Sequence, residues 1–330
     1  MFHVMLSYPL FGEGMRILEN KTDLFVSNDG DLRPYLEQLG KADAFITRNV
    51  HPTKDILDRC PYLKIIGIPV SGYQNYDVED LTRRGIALLY CPNMNSLAVA
   101  EHAVGLAYAL LKWIPYDDEE VKKGNYGVRN RFNHGMLSGK TAGIAGFGHI
   151  GQLTAKLFAA NGCEIVIYDP FRTEEDAKKL GYGYTKTLTE LAERSDILSL
   201  HMPSLPTTYH IFNEEVFGAM KKGSYFVNCA RGSVVDEKAL YKALEDGTVA
   251  AAGLDVMEKE PFDMDNPLVH LQNVIVTPHV AGVTKESSEA IHEKIVVTSL
   301  ELLEGSEVRN IVNPDALKHP KWQGILGGEK

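Results

Sequence analysis

Gly146-Phe147-Gly148-His149-Ile150-Gly151 forms a Gly-x-Gly-x-x-Gly run. The chemistry such a run serves is phosphate binding. Its first glycine allows a tight turn, its second lets the backbone approach a pyrophosphate, and its third lets a helix pack closely on a strand. Free N–H groups at the helix N-terminus then face the phosphate oxygens. The context fits: the apolar strand candidate Thr141–Ala145 precedes the run and the helix-like stretch His149–Ala160 follows it. Asp169 lies eighteen residues past Gly151, at the end of the next strand candidate, Glu164–Tyr168. A carboxylate there accepts hydrogen bonds from ribose hydroxyls and repels a 2′-phosphate, which favours NAD over NADP, with Arg172 offsetting that preference slightly. Methyltransferases also pair glycines with an acid, so this motif alone leaves the cofactor class open.

Three later strand candidates end in residues that could work beside such a cofactor. Arg231 follows Tyr225–Asn228, the acidic run Asp255-Val256-Met257-Glu258-Lys259-Glu260-Pro261 follows the next, and His279 follows Val274–Thr277. Ligands of open α/β sheets sit at the carboxyl ends of strands. An arginine, a carboxylate and a histidine converging there suit the reduction of a 2-oxo acid. Histidine gives a proton to the carbonyl oxygen and takes it back in the reverse direction. A neighbouring carboxylate favours the charged imidazole, and the arginine fork binds the substrate carboxylate. Singly, each has a plainer reading: Arg231 in a structural ion pair, Glu260 capping a turn before Pro261, His279 as one of eleven histidines. Their joint position after successive strands favours the catalytic reading.

The elements that must position these residues alternate between strand and helix. The first third offers strands at Val4–Tyr8, Leu24–Ser27, Ala44–Thr47, Leu63–Val70 and Ile86–Tyr90, with helix-like stretches at Leu32–Leu39, Asp55–Cys60 and Val78–Arg84 between them. A second set of about six strands adds Ile197–Leu200 and Ala251–Asp255 to those above, with helices at Leu188–Arg194 and Asp236–Glu245. Short apolar, β-branched strands alternating with helices predict α/β architecture: two doubly wound parallel sheets. Two longer helical stretches, Ser96 to Trp113 and Lys285 to Glu304, read as connectors. If the two ends of the chain belong together, the second α/β set is inserted into the first.

The 330 residues suit two domains or three, and an apolar content of 44% supports real cores. A net charge of −10 without a basic stretch argues against a nucleic-acid or anionic-membrane partner. No run approaches eighteen apolar residues, and Met1–Ser7 reads as a first strand rather than a signal peptide. Cys60, Cys91, Cys163 and Cys229 are scattered, which indicates neither a zinc site nor a disulfide framework and leads to the expectation of a reduced, cytoplasmic protein without metal.

With these motifs assembled, the sequence resembles the D-isomer-specific 2-hydroxyacid dehydrogenases over nearly its whole length. The resemblance is carried by Gly146–Gly151, by Asn228-Cys229-Ala230-Arg231-Gly232-Ser233-Val234-Val235-Asp236-Glu237, by Gly253-Leu254-Asp255-Val256 through Glu260-Pro261, and by Thr277-Pro278-His279. It implies His279 as acid/base, Glu260 as its partner, Arg231 as carboxylate binder and carbonyl polariser, and Asp255 against the nicotinamide carboxamide. It implies NAD contacts from Gly146, Gly148, His149, Ile150, Gly151, Asp169, Pro203, Thr208, Cys229, Ala230, Arg231, His279 and Gly282, with Ser71 and Val99 also near the cofactor. The loop Val70-Ser71-Gly72-Tyr73-Gln74-Asn75-Tyr76-Asp77 resembles the family's substrate-carboxylate loop, in which Val70, Ser71 and Gly72 supply N–H groups, and Arg48 matches an arginine on the substrate side. The resemblance further implies a Rossmann NAD-binding domain, 103–291, inserted into a flavodoxin-like substrate domain, 1–102 with 292–330. It also implies a homodimer and a cleft that closes over a small 2-oxo acid such as hydroxypyruvate or glyoxylate.

Tyr73-Gln74 and Tyr126 depart from commoner members and bear on substrate identity. A 3-phosphoglycerate dehydrogenase-type activity would need a second cationic anchor, for which Arg48, Arg129 and Arg131 are available. No added carboxyl-terminal regulatory domain is expected, and the tail with Pro320-Lys321-Trp322 could cover the cleft or pack on the surface, the surface reading being favoured. A non-catalytic NAD(H)-sensing corepressor-like protein would share the fold and keep the trio, but long disordered flanks and basic patches are missing. Formate dehydrogenases carry glutamine at the position of Glu260 and fit less well.

Overall fold

A computed structural model describes residues 1–27, 30–48, 50–70, 72–73, 75–131 and 133–326. The chain divides into two compact units: Met1–Asn95 together with the stretch from Lys285 onward, and Ser96–Thr284. The divisions fall in front of the two long helices, so each helix belongs whole to one unit. Boundaries drawn at 102/103 and 291/292 would cut through both helices.

The first unit holds β1 (Phe2–Leu6), α1 (Glu13–Lys21), β2 (Thr22–Val26), α2 (Leu36–Lys41), β3 (Ala44–Ile46), α3 (Lys54–Leu57), β4 (Ile65–Ile68), α4 (Val78–Arg83) and β5 (Ala87–Tyr90). Its five strands are all parallel, in the order β2-β1-β3-β4-β5. Every residue of β3 and β4 is buried, as expected of strands covered on both faces.

The second unit opens with α5 (Ser96–Leu111) and α6 (Ile114–Lys122), followed by β6 (Thr141–Ala145), α7 (His149–Ala160) and β7 (Glu164–Tyr168). Next come α8 (Glu174–Lys179), β8 (Gly183–Tyr184), α9 (Leu188–Arg194), β9 (Ile197–Leu200) and α10 (Glu214–Gly218). It ends with β10 (Ser224–Asn228), α11 (Glu237–Glu245), β11 (Val249–Leu254) and β12 (Val274–Val276). Its parallel sheet has seven strands, β12-β11-β10-β9-β6-β7-β8, one more than expected. The extra strand, β8, has two residues and no apolar run to reveal it. The long helix expected to reach Trp113 stops at Leu111, because Trp113 takes a left-handed φ of 53° and Pro115 follows at the start of α6.

The last helix, α12 (Lys285–Leu303), returns to the first unit and packs on α1, β4 and β5. The crossing with α1 is close at Gly14, where a Cβ would sit 2.8 Å from the His292 carbonyl oxygen. In the tail, Trp322 is 1% exposed and its Nε1 donates to the Gly85 carbonyl at 2.9 Å, which anchors the segment on the first unit. An indole fully out of water needs such an acceptor. The preceding segment covers the edge strand β5, with Val312 N donating to Leu88 O and Leu88 N to Asn313 Oδ1.

His292 ties the first loop of this unit to α12. Its Nδ1 accepts the Phe11 N–H at 2.9 Å, and the Phe11 ring stacks on the imidazole. Burial, and then the charge of Arg48, push His292 down to about 4. In the second unit, burial pushes His201 down to about 3. The unfolded chain takes up these protons near the ordinary histidine value of about 6.5. Between about pH 6.5 and 4 the unfolded state therefore binds more protons, so stability is full above that window and lost as pH falls through it. A urea titration at about pH 7.5 and again at about pH 4.5 should show this loss. It should be smaller in His292→Asn, by up to about 1.4 kcal/mol per pH unit below the ordinary histidine value.

Candidate active site

The glycine loop follows β6 and opens α7. Gly146 has φ 91°, in the left-handed region, and a Cβ there would lie 2.6 Å from the His201 carbonyl oxygen. A Cβ on Gly151 would lie 2.1 Å from the Gly146 oxygen, so helix and turn approach as closely as backbone permits. A Cβ on Gly148 would meet nothing within 4 Å. That open space beside the first turn of α7, reached by its free N–H groups, is the cradle a pyrophosphate needs. His149 and Ile150 form that first turn.

Asp169 lies at the end of β7 and braces the loop: Oδ2 accepts the Phe147 N–H at 2.7 Å and Oδ1 the Phe171 N–H at 2.8 Å. A carboxylate has about four acceptor positions, so these bonds leave room for ribose hydroxyls. The Arg172 guanidinium lies over the Phe147 ring, 5.9 Å from its centroid. Pro203 and Thr208 meet each other in the loop after β9, where Thr208 Oγ1 donates to the Pro203 carbonyl at 2.7 Å. The residues present fit a dinucleotide.

Beyond β10 the chain turns sharply. Asn228 Oδ1 accepts the Ala230 N–H at 2.9 Å, and Asn228 Nδ2 donates to the Arg231 carbonyl at 3.0 Å. Cys229 is buried in this turn, where burial, and then the charge of Asp255, raise its thiol well above the ordinary range. Arg231 is exposed, with Nη1 donating to the Ala230 carbonyl at 2.6 Å and its other donors available to a ligand. Next to it, a Cβ on Gly232 would lie 1.9 Å from the Met257 carbonyl carbon. Only glycine lets the Arg231 loop press this closely on the loop that carries Glu260.

His279 Nδ1 lies 2.7 Å from Glu260 Oε2, while Glu260 Oε1 accepts the Met257 N–H at 3.3 Å. Burial works to raise the Glu260 carboxyl, but hydrogen bonding and charge from His279, the Met257 N–H and Arg231 together hold it below its ordinary value. His279 itself has a φ of 52°. The left-handed conformation costs a residue with a Cβ about 1–2 kcal/mol, so the surroundings must enforce it. Asp255 supplies the restraint. Its side chain is 1% exposed; Oδ1 accepts from Thr277 Oγ1 at 2.6 Å and Val280 N at 2.9 Å, and Oδ2 from Ala281 N at 2.9 Å. The His279 N–H bonds back to the Asp255 carbonyl at 2.9 Å. Asp255 therefore grips the histidine loop on both sides of His279, a role that residue spacing does not disclose. Val99 is buried in α5, and Gly282 lies at the end of the gripped loop.

In the first unit, Arg48 is exposed just beyond β3, and Val70 and Gly72 are half-buried in the loop after β4. Ser71 lies outside the described residues. Thr47 anchors the Arg48 loop by accepting from Ser7 Oγ at 2.9 Å and donating to the Val50 carbonyl at 2.9 Å. Two of the arginines available as a cationic anchor have local partners: Arg131 donates to the Tyr116 hydroxyl, and Arg129 lies over the ring of Tyr126. Tyr126 is 68% exposed. The ligand-type atoms of His210, Asp236 and Glu258 lie within 4.8 Å of one another, a grouping the sequence did not suggest. His210 Nε2 and Glu258 Oε1 are 2.8 Å apart, the distance of an ion pair when the ring is protonated. Among the described residues no single helix is long and apolar enough to cross a membrane.

Comparison with known proteins identifies the family. Residues 104–281 match the family described as D-isomer specific 2-hydroxyacid dehydrogenase, NAD binding domain. The chain is 38% identical over 314 residues to a D-3-phosphoglycerate dehydrogenase of Methanocaldococcus jannaschii, covering 95% of this chain and 60% of that protein. It is 35% identical over 324 residues to a glyoxylate reductase of Thermococcus litoralis, covering 95% and 97%. The crystal structure of the TT0316 protein from Thermus thermophilus superposes with a TM-score of 0.86 at 30% identity, covering 94% of this chain and 99% of that one. The first phosphoglycerate dehydrogenases matched are longer, and the chain spans 60 to 61% of their length. The second unit is an NAD-binding domain, and the chain belongs to the D-isomer specific 2-hydroxyacid dehydrogenase family.

Proposed function

We propose that the protein interconverts a small 2-oxo acid and the corresponding D-2-hydroxy acid, with His279 as acid/base, Glu260 as its partner and Arg231 as carboxylate binder. The observation that carries this reading is the 2.7 Å contact between His279 Nδ1 and Glu260 Oε2 on loops following neighbouring strands. With Nδ1 held by Glu260, Nε2 carries the transferable proton. In reduction the carbonyl carbon receives a hydride and its oxygen receives the His279 proton; Glu260 stabilises the charged imidazole before transfer. Bound NAD(H) supplies or accepts the hydride. It is held by Gly146, Gly148, Gly151, the first turn of α7 and Asp169. Arg231 draws the substrate carboxylate into register and polarises the carbonyl. The assignment of Arg48, Val70, Ser71 and Gly72 to substrate binding belongs to the same proposal, as do a homodimer and a cytoplasmic location. The dimer reading is supported by apolar side chains exposed on α6, Ile114 and Val121.

Hydroxypyruvate or glyoxylate is the proposed substrate. A phosphorylated substrate is the second reading, favoured by the 38% identical relative named as a D-3-phosphoglycerate dehydrogenase. NADH oxidation across glyoxylate, pyruvate, hydroxypyruvate, 3-phosphohydroxypyruvate and branched 2-oxo acids separates the two. The expected outcome is turnover of hydroxypyruvate or glyoxylate with the highest kcat/KM, reduced by about a hundredfold or more in His279→Ala. Folded His279→Ala and Arg231→Ala proteins with wild-type rates would remove the residue roles. The cofactor cradle has its own test. Gly148→Ala should keep stability within about 0.5 kcal/mol while weakening NADH binding by about tenfold or more, equivalent to about 1.4 kcal/mol. Gly151→Ala should lose about 3 kcal/mol of stability by overpacking, read from urea midpoints.

A further inference from the structure

The carboxylate that grips the histidine loop is itself held from a distant helix. Thr277 has one hydroxyl proton, and at 2.6 Å from Asp255 Oδ1 that proton is committed to the carboxylate, which can only accept. The remaining lone pairs of Thr277 Oγ1 face His102 Nε2, 3.1 Å away on α5. With the hydroxyl proton spent, His102 must be the donor there, which requires a proton on Nε2. His102 Nε2 is 3.7 Å from Asp255 Oδ1, beyond hydrogen-bond reach, so its hold on the carboxylate runs through the threonine. The chain of contacts is His102 Nε2–H to Thr277 Oγ1, Thr277 O–H to Asp255 Oδ1, and Asp255 to the N–H groups of Val280 and Ala281.

We propose that His102 and Thr277 are positioning residues for the acid/base histidine: together they orient the Asp255 carboxylate so that it clamps the turn at His279 and keeps the imidazole on Glu260. The proposal rests on the reading of His279 as acid/base. Directionality is built in, because each hydroxyl and ring proton in the chain has one acceptor. Removing the Thr277 hydroxyl takes a donor from a buried carboxylate oxygen, which can then rotate toward other donors and release Val280 or Ala281. Removing the His102 donor leaves Thr277 Oγ1 without the partner that fixes its lone pairs, so the threonine that presents its proton to Asp255 is less restrained. A misplacement of about 1 Å can cost an enzyme about a hundredfold in rate, so the effect belongs in kcat rather than in cofactor binding.

The test uses the full chain with Thr277→Val, which keeps the side-chain volume, and His102→Phe, which keeps a ring without a donor. Thr277→Ser and His102→Gln restore the hydroxyl and the donor. Three quantities are read: kcat and KM for NADH with the best 2-oxo acid, and hydrogen–deuterium exchange of the segment 277–284 in the protein alone. The expected result is a kcat about tenfold to a hundredfold lower in Thr277→Val and His102→Phe, with KM for NADH within about threefold and faster exchange confined to that segment. The Ser and Gln variants should recover most of both. Wild-type kcat and exchange in Thr277→Val and His102→Phe would overturn the proposal. So would loss of rate accompanied by faster exchange across the whole second unit, which is general destabilisation. If the wild-type protein turns over no 2-oxo acid, the functional reading fails, while the exchange comparison still decides whether His102 and Thr277 hold the loop.

Discussion

A carboxylate almost wholly removed from water must be met by donors, and Asp255 meets its donors on the loop that carries His279. An uncompensated buried charge would cost several kcal/mol, so the loop is pulled onto Asp255 and His279 is forced through a left-handed φ. This bend delivers Nδ1 to Glu260. The strain at one residue is sustained because the neighbouring N–H groups and the Thr277 hydroxyl have no better acceptor. The site's geometry is thus a consequence of satisfying one buried group.

The sheet makes that satisfaction attainable. Asp255 directly follows β11, Asn228 ends β10, and Thr277 directly follows β12, so three adjacent parallel strands deliver their ends to one side. Gly232 removes the last obstacle by letting the Arg231 loop press on Met257. Gly253 does the same behind the site, where a Cβ would lie 3.0 Å from Leu106 Cβ of α5. That close packing seats α5, and with it His102, against the strands. On the other half of the sheet, Gly146 and Gly151 bring α7 against β6 and leave space only at Gly148.

Much of this was legible in the sequence because buried parallel strands are continuous apolar runs and because Arg231, Glu260 and His279, the residues proposed to act, lie beyond their ends. The bounds of β6, β7 and β9 match the sequence reading, and Gly146–Gly151 forms the expected turn. Elements without an apolar signature escaped: β8 is two residues long, and α1 is mostly polar and begins after Gly12 rather than at a side-chain cap. The break at Trp113 escaped because a tryptophan rarely takes a positive φ. The burial of Trp322 was not legible because its acceptor, Gly85 O, is remote in sequence. Asp255 could be matched to a motif, but its grip on Val280 and Ala281 and its link to His102 through Thr277 depend on long-range contacts that spacing does not encode.

The most direct test of this account is the rate of 2-oxo acid reduction by Asp255→Asn at saturating NADH. Asparagine keeps the shape of the side chain but replaces an acceptor with a donor where the loop presents only donors. If the buried carboxylate positions His279, the variant folds and its rate falls by about a hundredfold or more relative to wild type, with His279 and Glu260 both intact. A wild-type rate in this variant would mean that the histidine is positioned by something other than the buried carboxylate.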